Sequence, residues 1–315
     1  MSTLADELDL LNSSRETYIG QKDVVDAAFA LNPIMDLLWR NKKVQSGGTS
    51  IDFRTRIARP GTLVHYEGRT IPDRDVRPIF AAGTAPWRKA IYEIDLPGDT
   101  FIMNKDEGQI IDDAKETYDA GMEGIVENMA TSFFADTGAT VTPHGLPYIE
   151  ADAAYFGISN ANFRAVRTDM GNVPLTLTKV DEHMNALALR GARISVISCH
   201  ANNYAVFQSS QRSNFQIAQT ELKDRLNIGV PGRLYYNNAE IVLDPNCLET
   251  EVHFHDFRKF NMVVSSDPKR RLQIGEWAFQ KLVRMDEYLA DMMIAYNYIC
   301  RNRQQQGVIH NINPA

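Results

Sequence analysis

Residues 145–163 read Gly145-Leu-Pro-Tyr-Ile-Glu-Ala-Asp-Ala-Ala-Tyr-Phe-Gly-Ile-Ser-Asn-Ala-Asn-Phe163, directly after a long acidic stretch of helical pattern. The informative order is helix, then Gly145-Leu146, then Tyr155-Phe156-Gly157-Ile158-Ser159.

The stretch before it, Asp106–Asp136, carries apolar or small residues at Ile110, Ile111, Ala114, Tyr118, Met122, Ile125, Met129 and Phe133. That unbroken spacing of three and four predicts one helix. About 30 residues at 1.5 Å each would measure roughly 45 Å, well beyond the mean globular helix. Asn104 or Asp106 can cap its start, and Asp106, Glu107, Asp112 and Asp113 suit the positive end of the helix dipole. Gly108, Gly121 and Gly124 weaken it, each by up to about 1 kcal/mol relative to alanine, so packing must hold it.

Further upstream, Ile51–Ala58 and Trp87–Leu96 alternate as two strands. About 28 residues rich in Pro, Gly and Arg separate them, far more than the usual two to five of a hairpin. The expectation is a projecting two-stranded arm that lies on another surface, because an isolated ribbon is marginal in water. Residues 1–50 hold short helical patterns, Asp23-Val-Val-Asp-Ala-Ala-Phe-Ala and Pro33-Ile-Met-Asp-Leu-Leu-Trp, and read as an N-terminal arm.

Downstream, the texture from Leu175 alternates. Helices are predicted over Thr178–Arg190, from Ala201 toward Ser209 and near Gln216–Leu226; strands over Arg193–Ser198 and around Leu234–Tyr236, Ile241–Leu243 and Val252–Phe254. This is an α/β subdomain. Tyr288–Cys300 fits a strand or a helix equally by periodicity.

Composition bounds the function. The 315 residues are 44% hydrophobic, enough for one elongated domain or two compact ones. No apolar run of about 18 residues occurs, and the start of the chain is acidic where a secretory signal would be basic, so the expectation is a cytoplasmic protein without membrane contact. A net charge of −7 argues against a dedicated nucleic-acid binder, yet suits a container whose wall lets DNA slide, or simple solubility. Cys199, Cys247 and Cys300 lie far apart and read as buried apolar residues.

Charge is distributed unevenly. Between Ile51 and Lys89 eight bases (Arg54, Arg56, Arg59, Arg69, Arg74, Arg77, Arg88, Lys89) face four acids, a net of +4. From Asp106 to Asp136 nine acids, among them Asp112, Asp113, Glu116, Asp119, Glu123 and Glu127, face one lysine, a net of −8. Like charges at helical spacing destabilise a helix by a few tenths of a kcal/mol per pair, so a cationic partner is expected, and the arm from the same or another copy is the obvious one. The alternative is two solvated surfaces that never meet.

Catalytic motifs are lacking: no GxxxxGK[ST] loop, GxSxG elbow or HExxH pair occurs, and the expectation is a protein that is not an enzyme and needs no cofactor. The best alternative is a metal site on His253 and His255, which share one face of a strand with Asp256 opposite; no third ligand on that face is visible. Cys199-His200, as sequence neighbours on a strand, point apart and make a poor thiolate–imidazole pair.

Taken together, Gly145-Leu146, Tyr155-Phe156-Gly157-Ile158-Ser159, Asp244-Pro245-Asn246-Cys247 and the ending Ala295–Ile309 resemble the major capsid proteins of tailed bacteriophages, over essentially the whole chain. The resemblance implies an α+β chain with the HK97-type capsid fold: an N-terminal arm (1–50), an extended E-loop (51–96), a P-domain with a spine helix (97–175, completed by 245–315) and an A-domain (176–244). It resolves Tyr288–Cys300 as strand. It further implies a structural subunit of hexamers and pentamers that tile an icosahedral virion shell around double-stranded DNA, assembled in a host cytoplasm, with the E-loop across a neighbour's P-domain. Portal, scaffold and decoration proteins and non-specifically contacted DNA are the other partners it suggests. Some relatives cross-link Lys to Asn; Lys89 lies near the arm, but no motif here supports that reaction. An encapsulin nanocompartment shell shares the fold and is the second reading.

Overall fold

A computed structural model describes residues 28–30, 32–57, 79–97, 107–139, 141–159, 163–214, 234–267, 280–281 and 287–314. In chain order the elements are α1 (Pro33–Arg40), β1 (Lys43–Gln45), β2 (Ser50–Arg56), β3 (Phe80–Pro86), β4 (Arg88–Pro97), α2 (Glu107–Ala135), α3 (Leu146–Glu150), β5 (Val166–Val173), α4 (Leu177–Leu189), β6 (Val196–Cys199), α5 (Ala201–Asn214), β7 (Leu234–Tyr236), β8 (Ala239–Leu243), β9 (Val252–His255), β10 (Phe260–Ser265), β11 (Gln280–Lys281), β12 (Glu287–Cys300) and β13 (Gly307–Ile312), with a 3₁₀ turn at Arg303–Gln305 before β13. They divide into two units.

The first unit takes the chain up to Thr49, Trp87–Leu146 and Asn261–Tyr298. Its long helix α2 forms where the three-and-four spacing predicts, and Met122, Ile125, Val126, Met129, Ala130, Phe133 and Phe134 are its buried residues. α2 contacts β4 and α1. α1 starts at Pro33, with the Asn32 Oδ1 accepting from the Ile34 and Met35 amides at 3.1 and 3.0 Å. β12 is a strand and pairs antiparallel with β4 from Glu287↔Pro97 to Tyr296↔Arg88. The sheet runs β1-β10-β12-β11, with β4 also on β12. The Tyr298 hydroxyl donates to the Met129 carbonyl at 3.3 Å, tying sheet to helix.

The second unit holds Ser50–Pro86, Pro147–Phe260 and the chain from Ile299. Its six-stranded sheet is ordered β5-β13-β9-β6-β8-β7. β5 is parallel to β13 and β6 to β8, while β9 is antiparallel to both its neighbours. Val180 and Leu187 of α4, Phe207 of α5, and Ile197, Val252, Phe254 and Ile309 of the sheet form the core. The α/β texture read from 176–244 is present, but the sheet also takes β5, β9 and β13 from outside that range. The helical pattern at Gln216–Leu226 and most of the N-terminal arm lie outside the described residues.

The ribbon differs from the sequence expectation. Ser50–Arg56 pairs not with Trp87–Leu96 but with β3, from Ser50↔Pro86 to Arg56↔Phe80. The Trp87–Leu96 strand is instead β4, bound to β12. Ile51, Phe53 and Thr55 are buried on one face, while Asp52, Arg54 and Arg56 are exposed on the other. Phe53 meets Tyr155 and Phe156, each at 5.8 Å between ring centres, so the described part of the ribbon is rooted on its own unit.

Candidate assembly surfaces

The stretch at 145–163 works as an anchor. The Gly145 amide donates to Asp136 O at 3.0 Å. A Cβ at that position would sit 2.5 Å from Phe133 O and 2.7 Å from Ser132 O, so the end of α2 closes only on glycine. Tyr155 and Ile158 exchange both backbone bonds, 3.0 and 2.9 Å, across a two-residue turn with positive φ at Phe156 (46°) and Gly157 (85°), as a type I′ hairpin requires. The buried Tyr155 hydroxyl accepts from the Cys300 amide at 2.7 Å.

Arg303, 1% exposed, is the residue the sequence does not disclose. Its guanidinium donates to the carbonyls of Ile149, Ala151 and Ala153 and lies 4.9 Å from the centre of the Tyr155 ring. One cation thus satisfies the carbonyls at and beyond the end of α3, an arrangement only a planar fork can reach.

On the acidic helix, Glu116, Glu123 and Glu127 are exposed and Asp119 is half-buried. Asp112 and Asp113 fall on the early turns of α2, before the first of its described side chains. The described acids avoid the buried stripe, as an amphipathic helix demands. On the ribbon, Arg54 and Arg56 are exposed neighbours on one face, with the 65%-exposed Phe80 opposite Arg56. Arg59, Arg69, Arg74 and Arg77 lie outside the described residues. Arg88 is not on the ribbon: it opens β4, and its Nη2 donates to Gly138 O at 3.0 Å. Lys89 is exposed beside it.

His253 and His255 do share a face, their rings stacked at 6.0 Å, but both are occupied. His253 Nδ1 is 2.8 Å from Glu150 Oε2, and His255 Nε2 is 2.8 Å from Ser198 Oγ. Burial, with the neighbouring His253 charge, drives His255 well below the usual imidazole range. Among the described residues no group of three or more His, Cys, Asp or Glu side chains is arranged to hold a metal ion. Cys199, Cys247 and Cys300 are free and buried, and burial pushes the Cys300 thiol up to about 12. Cys199, its thiol likewise raised by burial, is no candidate nucleophile with His200. No described helix is long and apolar enough to cross a membrane.

No protein-family model matches the chain, and no curated protein matches its sequence. Solved structures do match its fold. The cyanophage A-1(L) capsid asymmetric unit is similar at a TM-score of 0.67 and 14% identity, over 89% of this chain and 92% of that one. The capsid of a native GTA particle gives 0.57 and 13%, over 87% and 89%. The holo-SrpI encapsulin complex of Synechococcus elongatus gives 0.51 and 11%, over 74% and 77%.

Proposed function

From a chain that carries the HK97-type capsid fold over nearly its whole length, we infer a structural subunit of a phage capsid, one that assembles with copies of itself into hexamers and pentamers of an icosahedral shell enclosing double-stranded DNA. The observation that carries this reading is the extent of the match to the cyanophage capsid, which leaves little of either chain unaccounted for. The second reading, an encapsulin-type shell, rests on a similarity covering less of both chains.

The charge geometry supports a ribbon-to-helix contact between copies. Arg54 and Arg56, two residues apart on an extended strand, are separated by roughly 6.7 Å. Glu123 and Glu127, one turn apart, are about 6 Å apart along α2. The two exposed rows are therefore similar in spacing and opposite in sign. Exposed pairs contribute only about 0.2–1 kcal/mol each, so they set register and encounter rate, and the burial of apolar surface such as Phe80 supplies affinity. The root of the ribbon belongs to its own subunit, which leaves the outer face of the ribbon to reach a neighbour.

Electron microscopy of the purified protein tests the reading. Closed shells, rings or tubes are expected. Shells that copurify with DNA-packaging components support the virion, and shells holding an enzyme cargo without DNA support the encapsulin. A protein that stays monomeric at high concentration across all salt conditions overturns both.

A further inference from the structure

Inside the second unit, two carboxylates approach the two nitrogens of one imidazole. His253 Nδ1 lies 2.8 Å from Glu150 Oε2, and Nε2 lies 3.4 Å from Glu251 Oε2. Only the imidazolium has a proton on both nitrogens. The side chains of His253 and Glu150 are 1% and 3% exposed, whereas Glu251 is 25% exposed. The carboxylates come from separate parts of the chain, Glu150 from the end of α3 and Glu251 from the turn entering β9.

We propose that Glu150, His253 and Glu251 form a clamp: an imidazolium at His253, with a proton on each nitrogen, ties α3 and the turn at 247–251 to a central strand of the six-stranded sheet, and loss of one of those protons at alkaline pH releases the longer contact to Glu251 while Glu150 keeps its donor. This goes beyond the assembly reading and does not depend on it.

The surroundings contain few other charges. β6 and β13 set Ser198 and Val308 opposite His253. The turn supplies Cys247 as well as Glu251, and β9 itself supplies His255, held neutral against Ser198. From β5, Arg167 donates to Glu150 O at 3.2 Å, and both Arg167 and Arg303 act on the Glu150 carboxylate from a distance. The proton on His253 is therefore the charge in direct contact with Glu150.

The direction of the pH effect follows. Burial raises the Glu150 carboxyl; at His253 burial pushes the other way but is outweighed, chiefly by the Glu150 charge, so the imidazole also binds its proton more tightly than usual. A base whose folded pKa is raised contributes fully below its unfolded value near 6.5, and the contribution fades as pH rises through the folded value.

The full-length chain, histidine-labelled with ¹⁵N, is titrated from pH 6 to 10, with Glu150→Gln to identify the His253 signal and amide exchange read in parallel. His253 is expected to remain doubly protonated at pH values where a free histidine has lost its second proton, and E150Q to lower its midpoint, the effect of removing an adjacent opposite charge. Exchange in 247–252, corrected for its intrinsic pH dependence, should accelerate as that proton leaves, while 146–151 stays protected. If E150Q does not fold, E251Q gives the same reading with a smaller shift. A neutral His253 at pH 7 in the unaltered protein, or exchange in 247–252 that ignores its titration, overturns the clamp. Either result is obtained on free or assembled chains, so it is separate from the question of shell formation.

Discussion

Replacing Arg303 with methionine should loosen the anchor at 147–158 more than any other single change in that region. The guanidinium makes three hydrogen bonds to main-chain carbonyls, of Ile149, Ala151 and Ala153, and covers the Tyr155 ring. Hydrogen bonds to a charged group contribute about 1.5–3 kcal/mol each, but they are not additive, and burying the cation costs part of that sum. Burial indeed pushes the Arg303 guanidinium below its ordinary pKa. Methionine refills most of the space yet leaves three carbonyls without donors, so the net loss should be about 3–5 kcal/mol. At about 1.4 kcal/mol per tenfold, that corresponds to amide exchange faster by roughly two to three and a half orders of magnitude. The assay is hydrogen exchange with mass spectrometry on the peptide spanning 147–163. Arg303→Lys keeps the charge without the fork and should fall between the two. Exchange in R303M within threefold of the unaltered chain would refute the reasoning, because the carbonyls would then be satisfied without the arginine.

Several further outcomes are expected. The pair R54E and R56E should abolish particles seen by electron microscopy while circular dichroism stays unchanged, and adding E123R with E127R should restore them. His183, driven by burial to about 4, must charge on acid unfolding; its stabilisation is present above pH 6.5 and drains as pH falls, by about 2 kcal/mol at pH 5, readable as a falling melting temperature. His144, also lowered to about 4 by burial and the nearby Arg88 charge, should act in the same direction, and H144N should flatten its share of the acid limb. Phe53→Ala removes the ring that roots the ribbon on Tyr155 and Phe156 and should cost about 3–5 kcal/mol, seen as rapid exchange in 50–56 and 80–86.

What the sequence reveals depends on whether one or both faces of an element are buried. α2 is legible because one stripe is buried and acids occupy the rest, which leaves a clean period. β12 is ambiguous because every residue from Ile294 to Cys300 is buried, so alternation vanishes, and only the resemblance to capsid proteins selects a strand. β3, Phe-Ala-Ala-Gly-Thr-Ala-Pro, carries Gly, Pro and three Ala, with only Phe80 and Thr84 favouring a strand; it exists because β2 pairs with it and Phe53 packs into the space at Gly83. Its omission is why the ribbon's partner strand is misassigned from sequence. Arg303 is hidden for a different reason: its acceptors are backbone carbonyls, which leave no trace in residue identity. The shared face of His253 and His255 is legible from their spacing, but Glu150, 103 residues away, is not, and without it two histidines look like metal ligands.

The rooted ribbon narrows how the proposed contact between copies can be made. Strand alternation gives β2 two independent faces, and the chain uses them differently: Ile51, Phe53 and Thr55 are buried, with the Thr55 hydroxyl donating to Arg301 O, while Asp52, Arg54 and Arg56 stay exposed. A ribbon lying wholly on a neighbour would need its apolar face there, and that face is already taken. A ribbon free at its base would instead have to be ordered at the moment of contact, with the entropy of each fixed residue set against a few weak ion pairs. Fixing the base through Phe53 lets the outer face of the ribbon, Arg54, Arg56 and Phe80, be presented in a defined direction before any partner arrives. The residues that root the ribbon in the second unit therefore also fix the direction in which its charged face is presented, which is what the proposed contact between copies requires.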